Sequence, residues 1–461
     1  MRPLARPFAL ILALAGVLAG AQPAGPNRPF PMAAYEALAA PWLAATDDEA
    51  LFPPPFQARK TAEFQANYLG PWNPGFVAGR FTAQVAGMEA ATLADLERGI
   101  AAQTGFGPGI RPYGPGWLGR IRGQLPPART GAFRFQAGRR AVTTENALVR
   151  LLPTMDLYMQ SPDIPGQGYP FDNLQNSVLW AGTPVYLLEE SRDRAWCKVL
   201  AADCAGWIRA RSLARAGAGF VRRWRRAVLR HGLVAAVATE TPVLRASGRF
   251  RCHAYVGSVF PGRPGRGPRL AILVPGRAPG THQAFCQRAF LAPGAGVAQP
   301  WPYTGRNAAI LLRTLLGRPY GWGNARYHND CSAELKHFFA PFGLWLPRHS
   351  SDQRDAGRPF DLSGLTLQAR LAELSRIGRP YRSLLWIQGH VMLYLGPLEG
   401  TSGFMTYQNL WGLRPKELPD YRAVIGGSVL FPVLERYPED PGLQSLADKS
   451  RFVVTQLDDA P

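Results

Sequence analysis

Residues 330–341 read Asp-Cys-Ser-Ala-Glu-Leu-Lys-His-Phe-Phe-Ala-Pro, and the spacing of their apolar side chains decides what this part of the chain is. Counted from Cys331, Leu335, Phe338 and Phe339 fall at i+4, i+7 and i+8, one stripe of a helix. Pro341 stops that helix. Cys331 therefore sits in the first turn, on the core-facing side. A helix N-terminus carries free N–H groups and partial positive charge. Both favour thiolate over thiol, and the thiolate is the nucleophile. Asp330 is of a type that caps helices. Taken alone, a cysteine here is also an ordinary core residue.

His390 changes that reading. It follows Gln388-Gly389 and opens the apolar run Val391-Met392-Leu393-Tyr394-Leu395, a strand. A histidine at a strand start stands at the sheet end, where it can face a helix N-terminus. A Cys/His pair is the minimum for acyl transfer: the imidazole takes the thiol proton and later returns it to the leaving amine. The next strand ends at Tyr407-Gln408-Asn409. A polar residue there, Gln408 or Asn409, can accept the Nδ1–H of His390 and turn Nε2 toward Cys331. His328, His337 and His349 lie around the helix without a repeated ligand spacing, and no Cys-x-x-Cys is present, so no metal is expected.

Three elements occur in order: Pro319-Tyr320-Gly321-Trp322-Gly323, Asp330-Cys331-Ser332, and Leu346-Pro347-Arg348-His349-Ser350-x-x-Gln353. Together with Gly389-His390-Val391-Met392-Leu393-Tyr394-Leu395-Gly396 they resemble the NlpC/P60 cell-wall peptidases over roughly 300–437. The resemblance implies a papain-like α+β fold and hydrolysis of peptidoglycan stem peptides, typically between D-γ-glutamate and the diamino acid, without a cofactor. It makes Cys331 the nucleophile, His390 the base and Gln408 the third polar residue. Tyr320 would lie beside the nucleophile, and Asp330 and Ser332 would line the substrate pocket. Asn324 departs from the usual second Gly of Trp-Gly-Gly, and Gln408 stands where close relatives often carry His. Arg348 reads as a salt-bridge former before a substrate ligand. Whether the diamino acid is diaminopimelate or Lys stays open.

Upstream, short strands separated by turns run from about 140 to 215 and again from 225 to 295. The second set includes strands over 254–260 and 270–274, joined by a basic loop at 261–267. The two sets look like tandem bacterial SH3 barrels, the first on Val149-Arg150-x-x-Pro153 and Gly206-Trp207-Ile208; one larger sandwich is the alternative. Residues 33–135 resemble a small N-terminal stabilising domain, with a helix start at Thr92-x-x-Asp95. Residues 23–31 read as a linker, 300–437 as the catalytic domain and 438–461 as a polar tail. Little linker separates the second set from the catalytic domain, so one barrel is expected to wall the cleft and restrict the substrate.

The chain has 461 residues, and 52 Lys+Arg against 32 Asp+Glu give a net charge of +20. Nearly all of that excess is arginine. Residues 1–21 combine Arg2 and Arg6, an apolar run Phe8–Ala19 and a small-x-small site at Ala19-Gly20-Ala21, the pattern of a signal peptide. The run is shorter than the about 20 residues a membrane-spanning helix needs. Export to the periplasm or beyond makes nucleic acid an unexpected partner and leaves the anionic wall to attract the charge. The mature chain is expected to be a monomer with no membrane span. In an oxidising compartment the five cysteines read as pairs Cys197–Cys204 and Cys252–Cys286 with Cys331 alone, or as five buried thiols. The rivals to the peptidase are a non-catalytic wall-binding protein and another papain-like amidase or transpeptidase.

Overall fold

The computed structural model describes residues 27–127, 133–264, 270–417 and 421–458. The expected signal segment, and the 265–267 part of the basic loop, lie outside the described residues. Three seven-stranded sheets organise the chain. The main sheet runs, edge to edge, Asn27–Pro29, Arg422–Val433, Phe404–Leu413, His390–Pro397, Ser383–Ile387, Phe452–Gln456 and Arg358–Asp361. All its neighbours are antiparallel except the Asn27–Pro29 edge.

The runs Leu384–Ile387 and Val391–Leu395 are apolar at every position because both sheet faces are covered. Val391, Leu393 and Leu395 enter one core with Leu384 and Trp386, while Met392 and Tyr394 enter the other with Leu385 and Ile387. This is strand alternation with two buried sides. The helix Cys331–Phe339 covers the first side, with Leu335, Phe338 and Phe339 fully buried as their spacing predicts. Each such side chain contributes roughly 1.5–3 kcal/mol. The helix Leu367–Ile377 covers the other side through Leu371, Leu374 and Ile377.

Two terminal expectations are corrected by this sheet. The tail is not a tail: Phe452–Gln456 lies between Ser383–Ile387 and Arg358–Asp361, with Val453 in one core and Phe452 and Val454 in the other. The unit built on the main sheet, expected to end at 437, therefore runs past it. Within the supposed linker, Asn27–Pro29 pairs in parallel with Arg422–Val424.

The other two sheets are antiparallel, one spanning Arg140–Thr143 to Leu213–Arg215 and the next Leu233–Ala236 to Gly296–Gln299. Each has its own core, around Val149, Val185 and Ile208 in the first and Val234, Phe260 and Ile272 in the second. The helix Ala218–His231 joins them and was hidden by its arginines; Phe220, Val221, Trp224, Ala227 and Val228 form its buried face. The strand expected over 254–260 is two strands, Phe250–Ala254 and Val259–Pro264, broken where Ser258 N–H bonds the Tyr255 carbonyl. In the N-terminal part, the helix expected to start at Thr92 is Ala83–Ala101, capped by Thr82. Thr92 lies inside it and donates its hydroxyl to the Met88 carbonyl.

All five cysteines are free, which corrects the paired reading. Cys197 lies opposite Ile208, and Cys204 bonds back to Ala201 across the turn. Four residues of strand separate the two, roughly 13 Å at ~3.3 Å per residue. Cys252 and Cys286 sit on strands with Thr241–Arg245 between them, at least roughly 9 Å apart. A disulfide needs Cα atoms within about 7 Å. Among the described residues no helix is long and apolar enough to cross a membrane.

Candidate active site

Asp330 caps the helix Cys331–Phe339: its Oδ1 accepts the Ala333 N–H at 2.9 Å. Cys331 is thus the first helical residue and is buried. Its thiol meets the backbone N–H groups of Val391 and Ser332, which favour thiolate. Val391 directly follows His390, so the sulfur lies against the strand end that carries His390. Burial, with help from the Asp330 carboxylate, outweighs those N–H groups and pushes the thiol up to about 12.

His390 is half-buried, and its Nε2 lies 2.6 Å from Gln408 Oε1. The partner expected from sequence is present, but on the other nitrogen. The order of hydrogen bonds behind it explains which nitrogen holds the proton. The Phe431 carbonyl can only accept, and the Thr406 hydroxyl donates to it at 2.6 Å. That hydroxyl then accepts from Gln408 Nε2 at 2.8 Å. The Gln408 oxygen is left facing His390, where it can only accept. Nε2 therefore carries the proton, and Nδ1 keeps a free lone pair. Burial lowers the imidazole to about 4; the Gln408 bond opposes this, the Lys449 charge adds to it, and Asp330 opposes it.

Asn409 points to the opposite face of its strand. Its Nδ2 lies 3.4 Å from Glu334 Oε2, not near His390. Glu334, three residues after Cys331, is a fully buried carboxylate that sequence reading passed over. It accepts from Asn329 at 2.7 Å, from Ser428 at 2.6 Å and from the Tyr407 hydroxyl. An acidic residue beside the Leu335/Phe338 stripe was the available signal. The cluster fastens the helix to two strands of the main sheet, including the one that carries Gln408.

Asp330 and Ser332, expected to line a substrate pocket, are held in a buried hydrogen-bond network. Arg348, buried, reaches Asp330 Oδ2 at 2.6 Å, Oδ1 at 3.1 Å and Ser332 Oγ at 3.0 Å. Asp330 Oδ2 also accepts the Gly323 N–H at 3.0 Å. Burial alone would raise the Asp330 carboxyl, but the Arg348 charge and bonds win and hold it below its ordinary value. Either residue would have to give up a bond to touch substrate. Gln353 donates to the carbonyls of Ser332 and Pro347, both at 2.8 Å. Arg348 and Gln353 of the Leu-Pro-Arg-x-Ser-x-x-Gln element thus clamp the first turn of the helix.

The first sheet packs against the loop that precedes Cys331. Arg348 Nε donates to Ser177 Oγ at 2.9 Å, and Gln175 Nε2 to the Gly323 carbonyl at 2.9 Å. Gly323 has φ +62°, and a Cβ there would stand 2.5 Å from the Gln175 carbonyl oxygen. Asn324, next to it, also has positive φ, which Asn tolerates, and its amide donates to Asn329 Oδ1 at 2.8 Å. Phe171 of the first sheet's loop packs on Tyr320, Trp322 and Trp411 with centroids 6.0, 5.5 and 5.3 Å away. The Tyr320 hydroxyl is raised well above its ordinary value by burial, then by Cys331 and Asp330, and so stays neutral.

Comparison with known proteins agrees with this layout. A family model for an SH3 domain of the SH3b1 type matches residues 158–209. An NlpC/P60 endopeptidase from Photobacterium damselae subsp. piscicida is 23% identical, superposes with a TM-score of 0.78, and the match covers 95% of this chain and 100% of that one. An NlpC/P60 family protein from Bacillus cereus is 14% identical with a TM-score of 0.43 over 68% of this chain and 98% of that one. The peptidoglycan hydrolase RipB from Mycobacterium tuberculosis is 21% identical with a TM-score of 0.17 over 32% of this chain and 60% of that one. No curated protein matches. The chain has the fold of the Photobacterium endopeptidase along nearly its whole length.

Proposed function

We propose that this chain is a cysteine endopeptidase of the NlpC/P60 type, hydrolysing the D-γ-glutamyl–diamino acid bond of peptidoglycan stem peptides outside the cytoplasmic membrane, the compartment residues 1–21 address. The observation that carries the reading is the 2.6 Å His390–Gln408 bond set beside a helix-start cysteine. In this reading His390 Nδ1 takes the Cys331 proton as Sγ bonds to the γ-carbonyl carbon. The oxyanion meets the Cys331 N–H and the Tyr320 hydroxyl. Collapse breaks the C–N bond, and His390 gives its proton to the departing amine, leaving a thioester. Water then gives a proton to Nδ1 and attacks, releasing the carboxylate and restoring the thiol.

The burial shifts fit a base rather than a preformed ion pair. A thiol pushed up and an imidazole pushed down rest as neutral Cys331 and neutral His390. The first sheet is read as the SH3-like wall that limits what enters, and the second sheet as a second barrel of the same kind. The test is mass spectrometry of muropeptides after digestion. Wild type should release fragments ending in D-γ-glutamate, and Cys331→Ala should release none while keeping native circular dichroism. Full activity in Cys331→Ala would remove the nucleophile. Intact muropeptides with wild type would favour the non-catalytic wall-binding alternative.

A further inference from the structure

We infer that the groove between the helix Ala218–His231 and the second sheet binds a phosphate-rich polyanion. The groove has a volume of about 350 Å³, and its walls carry Arg223, Arg226, Arg230 and His231 from the helix and Arg288 from the strand Ala284–Leu291. Arg223, Arg226 and Arg230 recur at i, i+3 and i+7, one face of the helix. The rest of the lining is uncharged, with Ala271 and Leu273 among it. Among the described residues, no acidic side chain lines it.

Several solvated arginines on this protein have a counter-charge of their own. Exposed Arg59, Arg98, Arg122, Arg215, Arg306 and Arg376 each pair with a carboxylate. Among the described residues, no ion pair involves an arginine of the groove, and the helix itself contains no Asp or Glu. Holding four guanidinium groups around one groove without a counter-charge disfavours the empty state, and an anion relieves that. A carboxylate offers two oxygens and satisfies about one guanidinium fork. A phosphate group offers three oxygens and up to about two charges, so consecutive phosphates serve several forks in the same small volume. The groove shares no residue with the catalytic cleft, so the inference stands or falls apart from the proposed hydrolysis.

Calorimetric titration of the full chain with tripolyphosphate tests it. Saturable binding that weakens with added salt is expected. Arg226→Ala with Arg230→Ala should weaken it by about tenfold or more, while Arg354→Ala with Arg376→Ala, the same charge change at paired surface sites, should leave it unchanged. Equal loss in both double variants, or no loss in the first, would overturn the site. Poly-glutamate binding as tightly as tripolyphosphate would overturn the phosphate chemistry. Capture by phosphatidylglycerol vesicles without binding of tripolyphosphate would make the face a membrane surface instead.

Discussion

Thr406 and His390 never touch, yet Thr406 fixes which nitrogen of His390 is protonated. Its hydroxyl is committed as a donor to the Phe431 carbonyl, so toward Gln408 it can only accept. Thr406→Val should remove the acceptor, free the Gln408 amide to flip, and lower kcat by about 10- to 100-fold, part of the about 10²–10⁴ that acid–base catalysis supplies. Thr406→Ser should restore it. A structural role alone would lower stability without the rescue in kcat.

Gln408→Ala should lower kcat over the same range with residual turnover, and Gln408→His should retain activity. Asn409→Ala should act differently, because Asn409 faces Glu334. It should reduce the denaturation midpoint and spare kcat. The reverse result would exchange the roles of the two residues.

The pH profile gives an independent reading. His390 must be neutral to act as base, and burial holds it at about 4 instead of 6.5. The acid limb of kcat/KM should therefore fall well below pH 6.5. Since the Lys449 charge pushes the imidazole down, Lys449→Met should move the limb upward. Since the Gln408 bond pushes it up, the residual activity of Gln408→Ala should have a limb still lower. For stability the sign is the same. Between pH 6.5 and about 4 the unfolded chain binds a proton at this histidine that the folded chain does not, so His390 costs stability as pH falls through that window. Acid limbs at 6.5 in all three proteins would contradict the burial of the base.

Much of the fold and site was legible because periodicity and local chemistry agreed. The Leu335/Phe338/Phe339 stripe placed the helix that Cys331 opens, and the Val391–Leu395 run placed the strand behind it. What stayed hidden depended on partners distant in sequence. Phe452–Gln456 is a short apolar segment in polar surroundings, and only its neighbours on the sheet make it a central strand. The nitrogen of His390 that meets Gln408 could not be read without Thr406 and Phe431. The helix Ala218–His231 was masked by charge on its exposed face. Cysteine spacing suggested bridges that strand register forbids.

Arg348 and Asp330 provide a test of the frame behind the nucleophile. Both side chains are buried, and removing one leaves the other's charge unpaired. Arg348→Ala should destabilise the protein by about 3–5 kcal/mol, measured by denaturant unfolding. A change under about 1 kcal/mol would place the pair in surface-like surroundings.

Phe171 tests the cleft wall without dismantling it. An isolated 300–461 fragment is a poor probe, because it would lose the Asn27–Pro29 edge strand and the Gln175–Gly323 and Ser177–Arg348 bonds that hold the active-site loop. Phe171→Ala in the full chain leaves those bonds in place and removes only the ring packed on Tyr320, Trp322 and Trp411. If the first sheet selects substrate, the variant should raise KM for short stem peptides and improve the relative cleavage of longer ones, with kcat for the short peptide little changed. Tyr320 keeps its main-chain bond to the Gly426 carbonyl at 2.8 Å, so its hydroxyl should stay at the thiol and the chemical step should survive. An unchanged ratio between short and long peptides would reduce the sheet to an anchor. A kcat loss as large as that of Gln408→Ala would instead make Phe171 part of the support for Tyr320.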